Sequence, residues 1–252
     1  MATLPTLDEL LTAGVHFGHL SSRWNPKMRS YIFSTKNKIH VINLEKTLEK
    51  LKTALGYVQD LASRGETILF VGTKRQAKDA VKAAAVSCGM PYVTIRWLGG
   101  TFTNYKTIQK TIKKLERLQR MKVAPDFETK YTKKERLLME REMTKLENLF
   151  EGIKSMKKLP ESVFVVDLNH DKIAVKEALG TKIKVVALAD TNAEGIDKIS
   201  YLIPSNDDAI KSIALMANLV AGAVNEGKAH PAVAVSAVTP EAGIKEGVAV
   251  NE

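Results

Sequence analysis

Short runs of β-branched and aromatic residues recur along this chain with amphipathic stretches between them, and one long cationic segment breaks the pattern. The β-type runs are Thr67-Ile68-Leu69-Phe70-Val71, Tyr92-Val93-Thr94-Ile95, Val163-Phe164-Val165-Val166 and Val185-Val186-Ala187-Leu188-Ala189, with Ile39-His40-Val41-Ile42 before them and Tyr201-Leu202-Ile203 after. Helical spacing falls near 45–63, 74–88, 171–179 and 206–226. Continuous apolar runs of this length suit strands buried on both faces, and their alternation with helices predicts right-handed crossovers and a doubly wound parallel sheet.

The break lies between Tyr105 and Lys158, which hold sixteen Lys/Arg against eight Asp/Glu, an excess of eight within a chain of net charge +10. The segment contains one proline, Pro125, and one glycine, Gly152. Two helical runs face each other across Pro125-Asp126: Ile108, Ile112, Leu115 and Leu118 on one side, and Met139, Met143, Leu146, Phe150 and Ile153 on the other. The second run steps four, three, four, three, which is a coiled-coil seam. This predicts an antiparallel helical hairpin inserted into the α/β domain. Lys106, Lys110, Lys113, Lys114, Arg117 and Arg120 have only Glu116 among them, so like charges meet at i and i+4 and a polyanion would relieve them. Such a row can also be the solvated face of a structural hairpin.

The length of 252 residues and 44% hydrophobic content allow a sizeable core. No apolar run is long enough to cross a membrane, and the amino terminus carries no basic-then-apolar leader, so a cytoplasmic protein is expected. The lone cysteine, Cys88, sits in Ala83-Ala84-Ala85-Val86-Ser87-Cys88 and reads as a small buried hydrophobe. From Lys228 onward the chain is Ala/Val/Pro/Gly-rich without a helical stripe, which predicts a loosely held tail. The expected division is thus an α/β core over 1–104 and 159–227, the hairpin over 105–158, and a tail over 228–252.

Several polar groups follow strands directly, where open parallel sheets hold ligands. Gly72-Thr73-Lys74-Arg75 has the makings of a phosphate-holding turn into a helix; equally, Gly72 is a tight turn and Thr73 a helix cap. No G-x-x-x-x-G-K-[ST] or G-x-G-x-x-G occurs in the chain. Asp167 and Asp190 at strand ends can hold Mg²⁺ or cap the next turn, and the second is the commoner use. His16 and His19 are three apart, a metal-compatible spacing that lacks a nearby third ligand, so a structural role is favoured and no metal is expected. Trp24 and Trp97 each adjoin an arginine, Arg23 and Arg96, which suits either core packing with an ion pair or a stacking face beside a phosphate contact.

Read in order, these segments resemble one family. His16-Phe17-Gly18-His19, Arg23-Trp24-Asn25-Pro26-Lys27-Met28 with Tyr31-Ile32-Phe33, and Ile39-His40-Val41-Ile42-Asn43-Leu44 with Lys46-Thr47 are similar to the opening of bacterial small-ribosomal-subunit protein two. Val71-Gly72-Thr73-Lys74-Arg75-Gln76-Ala77, Arg96-Trp97-Leu98-Gly99-Gly100-Thr101-Phe102-Thr103-Asn104 and Ile203-Pro204-Ser205-Asn206-Asp207-Asp208-Ala209 resemble its other signatures, and the likeness spans about residues 6–227. Two departures are Asn43, where the family commonly has Asp, and Glu194-Gly195, where a proline-containing turn is usual.

The resemblance implies a flavodoxin-like sheet with an inserted coiled-coil hairpin, binding to small-subunit ribosomal RNA, and help in retaining the mRNA-binding protein one of the same subunit. It implies no catalysis, no cofactor and no free homo-oligomer. The expected RNA contacts are Arg23, Trp24, Lys27, Arg29, Lys36, Lys38, Lys74, Arg75, Arg96, Trp97, Asn104, Lys106, Lys110, Lys113 and Lys114. The alternative is an α/β enzyme acting on a phosphorylated substrate at Gly72 to Arg75.

Overall fold

The computed structural model describes residues 4–231. Helix α1 (Leu7–Ala13) starts in a reciprocal cap between Thr6 and Glu9 and stops at Gly14, whose φ of +77° is left-handed. Three strands follow, β1 (Phe17–Leu20), β2 (Ile32–Lys36) and β3 (Ile39–Ile42), which form an antiparallel sheet in the order β1-β3-β2. Asn37 and Lys38 both take positive φ, 51° and 64°, between β2 and β3. Two successive left-handed residues give the hairpin turn whose twist matches its strands. Ile39-His40-Val41-Ile42 is therefore a strand, as its composition suggests, but it belongs to this separate sheet and not to the parallel one.

The rest of the chain runs α2 (Leu44–Ser63), β4 (Ile68–Val71), α3 (Lys78–Ser87), β5 (Tyr92–Val93), α4 (Tyr105–Val123), α5 (Phe127–Lys130), α6 (Lys133–Phe150), β6 (Ser162–Val165), α7 (Lys172–Gly180), β7 (Lys184–Ala189), β8 (Tyr201–Pro204) and α8 (Ile210–Ala229). The five strands from β4 to β8 are all parallel and ordered β5-β4-β6-β7-β8. This is the order of flavodoxin-like folds, in which the winding reverses between β4 and β6. Asn43 caps α2 by accepting from the Glu45 and Lys46 backbone N–H groups, so the amide does the work of a carboxylate there.

Alternation along the strands divides the core in two. Ile68, Phe70, Phe164, Val186, Leu188 and Ile203 face α2, α3 and α8, while Leu69, Val71, Val163, Val165, Val185 and Ala187 face α7 and the base of α4. Helix α3 begins at Lys78, later than its amphipathic pattern suggests, because residues 74–77 form a turn. Helix α8 runs through Ala229, and Lys228 donates to the Cys88 carbonyl. Residues 232–252 of the expected tail lie outside the described residues. No helix among the described residues is long and apolar enough to cross a membrane.

Helices α4 and α6 lie side by side. Gln109 reaches the Lys157 carbonyl, Gln119 reaches Glu147 and Lys122 reaches Glu140, a nested series that requires opposite chain directions. Their base is not separate from the domain. Ile108, Ile112, Leu115, Phe150, Ile153 and Met156 belong to the same buried cluster as Leu69, Val71, Val163 and Val165. Tyr105 donates to the Met156 carbonyl, and a Cβ on Gly152 would lie 2.1 Å from the Tyr92 carbonyl, so only glycine lets this end press against β5. The heptad seam suggests an arm that buries its apolar residues by itself; the structure instead buries those nearest the base under the sheet.

Two deletions separate these possibilities. Removing 120–146 and joining Gln119 to Glu147 through a short glycine linker should preserve cooperative unfolding, since those two side chains already touch at 2.6 Å. Removing 106–157 strips from the shared cluster those six apolar side chains, at about 1.5–3 kcal/mol each, which rivals a domain's whole net stability of roughly 5–15 kcal/mol. Denaturant unfolding should show a cooperative transition for the first and none for the second; a cooperative transition in the longer deletion would refute the shared core.

Candidate nucleic-acid interface

At the carboxyl ends of the parallel strands the chain gathers its own charges. Lys74, in the turn after β4, lies 3.0 Å from Asp167, 2.8 Å from Asp207 and 2.6 Å from Asp208. Its side chain is 14% exposed. Burial by itself would lower the Lys74 pKa, but Asp207 foremost, with Asp208 and Asp167, overcomes this and holds it above the ordinary value. Asp171, at the start of α7, takes both the backbone N–H and the hydroxyl of Thr73. Asp167 also accepts from the Asn169 and His170 N–H groups, so it caps the turn that follows its strand.

This arrangement decides between the two readings of Gly72–Arg75. The winding reverses here, at the position where such folds hold a phosphate. However, α3 starts four residues beyond Lys74, Thr73 is already bonded to Asp171, and Ala77 at the α3 start makes no side-chain cap. Gly72 is needed for packing, since a Cβ there would lie 2.7 Å from Val81. Three carboxylates surround the one cation, which disfavours an incoming anion. Lys74 is thus a structural ion-pair centre, not a free phosphate contact.

His19 brings the antiparallel sheet to the same place. Its Nδ1 lies 2.8 Å from Asp190 and its Nε2 3.3 Å from Asp208, while its backbone N–H donates to Thr191. A Cβ on neighbouring Gly18 would meet the Thr191 side chain at 2.7 Å. His16 does not share this cluster; its ring packs against Phe17 with centroids 4.0 Å apart. His19, Asp207 and Asp208 each offer a ligand atom within 4.8 Å of one another, a donor set of the kind divalent cations accept, but the Lys74 ammonium already pairs with both carboxylates. Cys88 is buried, which raises its thiol pKa and makes it inert.

The remaining expected contacts divide by exposure. Arg23, Lys27, Arg29, Lys36, Lys38, Arg75, Arg96 and Asn104 are exposed, with Lys36 and Lys38 at the β2–β3 turn and Lys27 paired to Asp197. Trp24 is half-buried against His40. Trp97 is only 7% exposed, packs edge-on to Phe102 and donates its Nε1–H to buried Glu177, so it has no face for a base. Of its two sequence readings, core packing is the one the fold adopts. On α4, Lys106, Lys110 and Lys113 are exposed and make no ion pair among the described residues, whereas Lys114 pairs with Glu142 of α6. The imbalance read along α4 is thus partly met by α6, through a partner 28 residues away. A groove of about 500 Å³ between α7 and the Glu194-Gly195 turn is lined by Lys172, Lys176 and Lys198, cations the sequence did not single out. Gly195 itself takes φ +70° before a short 3₁₀ turn, which supplies the bend without proline.

The cluster makes stability depend on pH. Burial, with Asp167 and Asp190 adding, pushes Asp207 from 3.8 up to about 7 against the pull of Lys74. A carboxyl that holds its proton more tightly when folded stabilises the fold as pH falls toward its unfolded value. His19, raised chiefly by Asp190, acts in the same sense: its contribution is full below 6.5 and lost as pH rises through the folded value. His16, lowered by burial, opposes this in part within the interval, and Glu135, Glu161 and Glu177, held below 4.5, oppose it only at lower pH. Thermal unfolding should therefore show a lower Tm at about pH 7.5 than at about pH 5.5, and Asp207→Asn should shrink that difference. A Tm that rises over this interval would contradict the assignment.

The family model described as Ribosomal protein S2 matches residues 10–227. Small ribosomal subunit protein uS2 of Idiomarina loihiensis is 50% identical over 223 residues, covering 88% of this chain and 91% of that protein. Its counterpart in Geotalea uraniireducens is 52% identical over 222 residues, covering 88% and 86%, and that of Sulfurimonas denitrificans is 50% identical over 224 residues, covering 89% and 86%. The chain therefore belongs to the ribosomal protein S2 family.

Proposed function

We propose that this protein is a structural constituent of the small ribosomal subunit, binding ribosomal RNA and catalysing no reaction. Family membership supports the ribosomal role. The observation that carries the RNA reading is the face of α4: Ile108, Ile112, Leu115 and Leu118 turn inward, and Lys106, Lys110 and Lys113 stand outward, exposed and without carboxylate partners among the described residues. A cation row on a fixed helix exchanges its counterions for phosphates and gains affinity by releasing them. Helices α4 and α6 together act as an antiparallel coiled-coil arm reaching along the RNA. Arg23, Lys27, Arg29, Lys36, Lys38, Arg75, Arg96 and Asn104 supply further contacts from the body of the domain. Lys74 and Trp97 serve the fold, while Lys114, exposed but paired to Glu142, is a weaker contact. Help in retaining protein one of the same subunit is part of the proposal on the resemblance alone.

The strand ends argue against catalysis, since the partly buried lysine there is already taken up by three carboxylates. An adaptor reading would need a broad apolar outer face. Val123, Leu137 and Leu138 are exposed on the arm, but they stand among charged residues, and scattered exposed apolar residues are ordinary.

Co-sedimentation with small subunits, resisted by a low-salt wash and reversed by a high-salt one, tests the assignment. A Lys106→Gln/Lys110→Gln/Lys113→Gln variant should lower the slope of log affinity against log salt for small-subunit RNA by up to about three. Lys114→Gln should change it less. A triple variant with unchanged affinity and slope would make the arm a solvated structural element.

A further inference from the structure

We infer that Glu177 is a positioning residue that shapes the Arg96–Asn104 segment, and through it the root of α4, into the form that meets RNA. The inference rests on the RNA-binding reading above. Glu177 lies in α7, 9% exposed, with its carboxylate turned under the segment that links β5 to α4. Its Oε1 accepts from the Trp97 Nε1–H at 3.2 Å and the Gly100 N–H at 2.8 Å. Its Oε2 accepts from the Phe102 N–H at 2.9 Å and from the Thr103 N–H and hydroxyl at 3.3 Å each.

Five donors from one short segment thus converge on one charged group. Burial pushes the Glu177 carboxyl pKa up, but the N–H groups of Phe102, Gly100 and Thr103 outweigh it and hold the group ionised below its ordinary range. Bonds to a charged acceptor are the stronger kind. At the α4 end the Asn104 N–H donates to the Gly100 carbonyl and its Oδ1 accepts from the Thr107 hydroxyl, both at 2.8 Å. Asn104 precedes α4 without capping its backbone, and Gly100 sits at φ +91°. Arg96 and Asn104, the exposed residues at the two ends, flank the tethered Trp97 and Thr103 directly. Their placement, and the point from which α4 departs, follow from where the carboxylate holds the backbone.

Glu177→Gln tests this with little change in shape. A glutamine presents one oxygen and one NH₂, so in either orientation two N–H donors face another donor, and the segment must move. The experiment is a double-mutant cycle of Glu177→Gln with Arg96→Gln, read as affinity for small-subunit RNA at fixed salt, with denaturant unfolding run in parallel. Glu177→Gln should weaken binding about tenfold while the protein stays folded, and Arg96→Gln should cost much less when combined with Glu177→Gln than in the parent, because coupled residues are not additive. Additive costs would show that Glu177 acts on RNA through something other than this segment and would overturn the inference, as would an Arg96→Gln variant that binds like the parent. If Glu177→Gln does not fold, Thr103→Val, which removes one donor and leaves the carboxylate, runs the same cycle with a smaller coupling expected and additivity again overturning it. Failure of the parent protein to bind RNA would defeat the RNA-binding reading itself and is seen before any substitution is made.

Discussion

Lys74 holds together what the chain would otherwise leave apart. Its ammonium group joins Asp167 after β6 to Asp207 and Asp208 after β8, and Asp208 in turn meets His19 from the antiparallel sheet. Without the lysine, three carboxylates would crowd a partly buried corner. Breaking a buried pair by removing one partner typically costs about 3–5 kcal/mol, because the other charge is left uncompensated. The same pairing fills with the chain's own charges the position at which related sheets admit ligands.

The charge on α4 is partitioned in a comparable way. Glu140, Glu142 and Glu147 of α6 take up Lys122, Lys114 and Gln119 along the flank where the helices meet. Lys106, Lys110 and Lys113 keep their charge toward solvent. Acidic residues thus tie the arm together on one side, and on the other three exposed lysines stand without ion-pair partners among the described residues, an arrangement that would favour a polyanion.

Much of the parallel sheet is legible in the sequence because β4, β6, β7 and most of β8 are buried on both faces and so read as unbroken apolar runs. The antiparallel sheet is not, since β1 and β2 are largely exposed and carry little alternation to betray them. Asn37 is a usable signal, because asparagine tolerates the left-handed turn. Cations can be read from the sequence, but their availability cannot. Lys74 finds its carboxylates 93 and 133 residues away and Trp97 finds Glu177 80 residues away, and no local pattern encodes such pairings. That is why Lys74 and Trp97 read as contact residues and prove to be internal ones.

The common core of α4 and the sheet bears on the thermodynamics of binding. Helix α4 has 19 residues and is about 28 Å long, with the turns bearing Ile108, Ile112 and Leu115 set into the domain. An arm on a loose hinge would surrender its orientational entropy on reaching RNA, and that loss would be subtracted from its affinity. Here the direction of the helix is settled when the chain folds, so the loss is already counted in the folding equilibrium. Under the proposed RNA binding, the arm would meet a polyanion without that loss, because its root already packs against β5 and β6.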